Sequence, residues 1–169
     1  MLNLAKNSLT MEKIYGTTKA QNGLVNAGSK WIAFYGLFTD PGTGSTYEYR
    51  QTFYRKPTLD QLKQIITAQI NAETDRKILS GFVWRDMSVW LSQENQFNYK
   101  AAFDLAVQTG GATLPVRFKF GSDENPQYHT FNDLDELTDF YTKALAYVDA
   151  TLNEGWDVKD SIDWSVYDV

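Results

Sequence analysis

Apolar residues recur along this chain with two different spacings, and the change from one to the other marks out its elements. From Thr46 to Tyr54 the period is two, with Tyr47, Tyr49, Gln51 and Phe53 on one side and Glu48, Arg50, Thr52 and Tyr54 on the other, which predicts a strand. The preceding run, Lys30-Trp-Ile-Ala-Phe-Tyr-Gly-Leu-Phe38, is rich in aromatic and branched residues and predicts a second strand. Asp40-Pro-Gly-Thr-Gly-Ser45 joins the two into a hairpin, because proline presets one backbone angle and glycine permits positive φ. Upstream, the stretch holding Asn22, Gly23, Asn26 and Gly28 reads as a link. Residues 1–10 carry no strong pattern and are expected to be mobile or partner-dependent, and Met11 would serve equally well as a start.

After Pro57 the spacing becomes helical. Thr58 and Gln61 can cap one another's backbone N–H groups, which predicts a helix start, and the helix runs to about Leu79 with Leu59, Leu62, Ile65, Ile66 and Ile70 on its inner face. Gly81 ends it. Phe82–Trp84 and Met87–Leu91 then flank Arg85-Asp86 as a tight hairpin, with Met87, Val89 and Leu91 on one face and Ser88 and Trp90 on the other. Ser92 caps a second helix through Asn95, in which Phe97, Ala101, Leu105 and Gln108 recur at helical spacing as the inward stripe before Gly110-Gly111. In a further hairpin Leu114, Val116, Phe118 and Phe120 oppose Arg117 and Lys119, and residues 121–126 turn back into Gln127–Phe131. Asn132 is the expected cap of the last helix, with Asp133, Asp135 and Glu136 at the positive end of its dipole. Leu134, Leu137, Phe140, Tyr141, Ala144, Leu145, Val148 and Leu152 follow the 3.6 period up to Gly155, the expected stop.

This order defines an α+β protein: an N-terminal β-hairpin, a helix, and two ββα units over residues 82–108 and 113–154 that form a small antiparallel sheet packed against helices. It divides into a strand-rich attachment segment at 1–57, an α+β core at 58–155, and an acidic, aromatic tail at 156–169.

Composition narrows the function classes. With 43% hydrophobic residues and 25 aromatic ones, the chain can build a core without staples. The absence of cysteine removes thiolate metal sites and cysteine nucleophiles, and the single histidine, His129, leaves zinc chemistry short of ligands, so neither metal nor cofactor is expected. A net charge of −5 opposes nucleic-acid binding. No stretch is apolar enough to span a membrane, and the N-terminus lacks the pattern of a signal peptide.

Candidate chemistry is thin. His129 sits on a strand with no nucleophile spacing around it, and reads as structural or surface. Asp133, Asp135, Glu136 and Asp139 are explained by the helix dipole, without a calcium loop. Gly42-Thr-Gly44 is too short for a phosphate loop. The aromatics are the better lead, because partly exposed Trp and Tyr anchor protein interfaces, and Trp31, Tyr47, Tyr49, Trp156, Trp164 and Tyr167 are the interface candidates.

The segments Trp84–Ser92, Asn98–Ala106, Leu114–Phe120 and the aromatic helix Asp139–Tyr147 resemble a family defined as a domain of unknown function, common in bacteriophage and prophage proteins of Bacteroides-type hosts and often encoded near tail genes. The resemblance covers residues 59–164 and carries no active-site motif, so it transfers no catalytic residue. It implies a non-enzymatic virion or tail-fibre component, made in the host cytoplasm, that assembles with itself as a homo-oligomer or with other virion proteins. Two alternatives stay open: a small acidic phage-encoded inhibitor or adaptor that binds a host protein, and a carboxylate-dependent glycan hydrolase, which only the spatial separation of two carboxylates can identify.

Overall fold

Alternation along Thr46–Phe53 works out as a buried central strand. The computed structural model describes residues 11–169, and its first four strands are β1 (Glu12–Tyr15), β2 (Gly23–Asn26), β3 (Trp31–Thr39) and β4 (Thr46–Phe53). They form one antiparallel sheet in the order β1-β4-β3-β2. The expected hairpin is therefore the centre of a larger sheet, and the presumed link at residues 22–28 contains strand β2. Four-residue strands carry too little alternation to declare themselves; the ladders to β4 and β3 create them. The expectation for residues 1–10 lies outside the described residues.

Tyr47 and Tyr49 on β4 pack with Leu24, Ala33 and Tyr35 against Leu62, Ile66 and Ile70 of helix α1 (Leu59–Ser80). The helix begins as its sequence dictates: Thr58 N–H donates to Gln61 Oε1 at 2.9 Å and Gln61 N–H to Thr58 Oγ1 at 3.2 Å. Glu48, on the opposite side of β4, is buried as well, ion-paired to Arg50, whose guanidinium lies 5.2 Å from the Phe34 ring centre. Its Oε2 has no hydrogen-bond partner among the described residues.

The β3–β4 turn hangs on Asp40. Its carboxylate accepts from the Tyr15 hydroxyl at 2.6 Å and from Gly42 N–H at 2.9 Å, with Lys13 Nζ at 3.4 Å. The Tyr15 hydroxyl foremost, then the Gly42 N–H, holds the carboxyl at about 2, below its ordinary 3.8. A depressed folded-state pKa adds stability above the ordinary aspartate range and loses it as pH falls through the folded value. The urea midpoint of the wild-type chain should accordingly exceed that of Asp40→Asn at neutral pH, and the gap should close between about pH 4 and about pH 2. A gap that stays constant over that window would remove Asp40 from the account.

Downstream, β5 (Phe82–Trp84) and β6 (Met87–Val89) are joined through Arg85 and Asp86 at φ +47° and +63°, the left-handed pair that a two-residue turn demands. Helix α2 (Gln93–Gln108) is capped by Ser92 Oγ on Asn95 N–H at 3.2 Å, and β7 (Val116–Gly121) pairs with β8 (Pro126–Phe131). Each hairpin forms its own two-stranded ladder. Helix α3 spans Leu134–Asp160. Its cap is Asp133, whose carboxylate accepts from Glu136 N–H at 2.8 Å, one residue beyond the expected Asn132.

Two further expectations are corrected. Gly155 does not stop α3 but lies buried inside it, where a Cβ would come within 2.5 Å of Thr74 Oγ1 on α1; the glycine permits close approach of two helices. Phe97, Ala101 and Leu105 do not face the core. The inward stripe of α2 is Tyr99, Ala102, Phe103 and Ala106, and both stripes satisfy the same 3.6 period.

The chain folds as two compact units, residues 11–71 with 158–169, and residues 72–157. In the first, a single 3₁₀ turn at Trp164–Tyr167 returns the C-terminal segment to the sheet: Tyr167 is buried and its hydroxyl donates to the Phe34 carbonyl at 2.7 Å. The core of the second is built from Trp84, Tyr99, Phe120, Phe131, Leu137 and Phe140 with their neighbours.

Candidate interaction surface

The reversal of α2 leaves an apolar stripe facing solvent. Phe97 is 71% exposed and Leu105, two turns on, is 50% exposed, with Ala101 exposed between them. Side chains four apart on a helix are neighbours, so the three make one continuous strip. Beside it a cleft of about 220 Å³ opens between α2 and α3, lined by Leu91, Phe97, Tyr141, Ala144, Leu145 and Val148. Tyr141 stacks on Phe103 with ring centres 4.5 Å apart, which fixes the cleft wall. Tyr99 also reaches the cleft, and burial pushes its phenol up to about 12, so it is neutral at physiological pH. Lys100, at the rim, is ion-paired to Asp104. The surface offers an apolar strip, a shallow cleft and a charged margin, which are the parts of a protein-binding face.

The polar groups around His129 and the start of α3 are tied up with each other. Trp84 Nε1–H donates to Asp139 Oδ2 at 3.0 Å, and Asp139 also holds Lys143 at 2.7 Å; Lys143 first and Trp84 second lower its carboxyl below the ordinary range. Glu136 holds Arg85 and stands 3.1 Å from His129 Nε2, while the His129 ring meets Trp84 and Phe131 edge to face. Asp133 caps α3. Among the described residues no group of three His, Asp or Glu side chains is placed to hold a metal ion. Nor is any helix there long and apolar enough to cross a membrane.

The interface candidates named from sequence fall into two sets. Tyr47, Tyr49 and Tyr167 lie in the core of the first unit, since their strand and turn direct them onto α1 and β3. Trp31 and Trp164 are partly buried, each with a lysine ammonium near its ring, Lys56 at 5.5 Å and Lys63 at 5.8 Å. Trp156 stands exposed on α3. Phe97, Leu105 and Leu145 were missed as surface residues, because their helical spacing is the usual mark of a core face.

The fold is α+β, with an N-terminal antiparallel sheet, three helices and two small hairpin ladders among the described residues. The chain belongs to the family described as Domain of unknown function (DUF4376), whose model matches residues 61–169. The match begins in the first turn of α1 and leaves the four-stranded sheet outside it. No curated protein and no solved structure matches the chain.

Proposed function

We propose that this protein is a non-enzymatic structural component of a phage or prophage particle, associated with the tail or its fibres, and that it acts by binding other protein chains. The observation that carries the reading is the solvent-facing strip of Phe97, Ala101 and Leu105 beside the α2–α3 cleft. A ring 71% exposed on a well-formed helix is costly to leave in water and becomes favourable on contact with another chain.

Mass spectrometry of purified particles from a host carrying the gene tests the role, and the chain should be present. Its absence from particles would turn the case toward a soluble adaptor. In a binding assay against the particle proteins, Phe97→Asp combined with Leu105→Asp should weaken association by about thirtyfold or more, the effect of losing a central anchor, while the circular dichroism spectrum is unchanged.

A further inference from the structure

We propose that a second depression in residues 72–157, distinct from the α2–α3 cleft, binds a neutral pyranose sugar. It has a volume of about 460 Å³ and lies where the β5–β6 hairpin meets the β7–β8 turn. Trp90 forms one side of it and is 51% exposed. That exposure is imposed by the strand: Val89 and Leu91 alternate inward to the core, so Trp90 and Ser88 must point out. Asp86, Ser88, Asn125 and Gln127 line the depression with Trp90. Among the described residues none of these four side chains makes a hydrogen bond or an ion pair, unlike the carboxylates near His129.

Backbone geometry sets the two turns that carry these residues. Asp86 is the second residue of the left-handed pair in the β5–β6 turn, at φ +63°. Asn125 is fixed by its N–H on Ser122 Oγ at 3.1 Å and by Gly121, where a Cβ would meet the Asn125 carbonyl at 2.4 Å. The two turns that carry Asp86 and Asn125 are thus set by their backbones, which limits how far a ligand must reorder the chain.

Its chemistry selects the ligand class. No cation lines the depression, which argues against phosphates and nucleic acids. Its apolar surface is a single indole with Val89 beneath, too little for a lipid or an apolar peptide. A pyranose has one face of C–H groups, which suits an indole, and a rim of vicinal hydroxyls that both donate and accept. Two amides, a hydroxyl and a carboxylate supply both donors and acceptors at that rim. One carboxylate lines the site, whereas glycosidic hydrolysis commonly employs two, so the assignment is binding without cleavage. It stands independently of the assembly role.

Saturation-transfer NMR on the full chain with the methyl glycosides of glucose, galactose, mannose and N-acetylglucosamine tests it. At least one should bind with a Kd of about 1 mM, the range expected for so small a ligand. Trp90→Ala should weaken that binding by about tenfold, and Asn125→Ala and Asp86→Asn should each weaken it too, with the circular dichroism spectrum retained. Phe97→Ala, on the other surface, should leave it unchanged. Failure of all four glycosides to bind the wild-type chain would overturn the proposal. So would undiminished binding in Trp90→Ala and Asn125→Ala, or loss of the glycoside signal on adding inorganic phosphate as a competitor.

Discussion

Replacing Phe140 by alanine should cost about 3–5 kcal/mol and produce the largest loss of stability of any single truncation in residues 72–157. Phe140 has no exposed surface, and its ring meets those of Phe82, Trp84, Tyr99, Phe118, Phe120 and Phe131 at centre distances of 5.1 to 6.4 Å. Those partners come from β5, α2, β7 and β8, so one side chain on α3 ties four other elements of this unit together. Six rings cannot collapse into the space of one without leaving their rotamers, and the cavity term therefore adds to the lost burial. The informative comparison is Phe97→Ala. It removes the same atoms from α2, yet from a ring already in water, and its effect should stay within about 0.5 kcal/mol. Urea unfolding of the two variants measures both, and equal losses would mean that the inward face of α2 has been misassigned.

Gly36→Ala should destabilise the four-stranded sheet by about 2–4 kcal/mol, for two independent reasons. The residue adopts φ +74°, a conformation that an L side chain rarely accepts. A Cβ there would also lie 2.1 Å from Cε2 of Phe38. That ring is packed against Tyr47, at 5.4 Å, and Tyr49, at 5.5 Å, so moving it away would give up those contacts. The glycine sits in the register shift of β3 between Tyr35 and Phe38, where the strand kinks and still keeps pairing with β4. Its N–H donates to Asn22 Oδ1 at 2.7 Å, which anchors the loop before β2 as well. Gly44→Ala makes the control: it also has positive φ, +70°, but nothing stands within 4 Å of the added methyl, so it should show the backbone cost of about 1 kcal/mol without the clash. Matching thermal midpoints for Gly36→Ala and Gly44→Ala would refute the packing half of the argument.

The elements that were legible in the sequence are those whose determinants sit close together in it. Thr58 with Gln61, Ser92 with Asn95, and Arg85-Asp86 between two short alternating runs each need only neighbours within about four residues, and each appears as read. Trp90 was legible in the same way, since alternation alone turns it outward. What misled was periodicity without direction. On α2 two stripes, Phe97-Ala101-Leu105 and Tyr99-Ala102-Phe103-Ala106, obey one rule, and only the presence of Phe118, Phe140 and Tyr141 beside the second decides between them. The sugar-site candidates show the other limit: Asp86 and Asn125 are far apart in sequence, and no local pattern announces that two separate hairpins bring them to one depression.

By itself, then, the sequence determined the α+β class, the places where helices and hairpins begin, and the family to which the chain belongs, because caps, turns and alternation are local interactions written in adjacent residues. Tertiary structure decided which face of α2 is buried, that β1 and β2 exist as strands, that Gly155 is a point of close helix approach, and that Tyr167 returns to Phe34. Each of those depends on a partner distant in the chain, whose shape and hydrogen-bonding groups select among arrangements that the local pattern leaves equal.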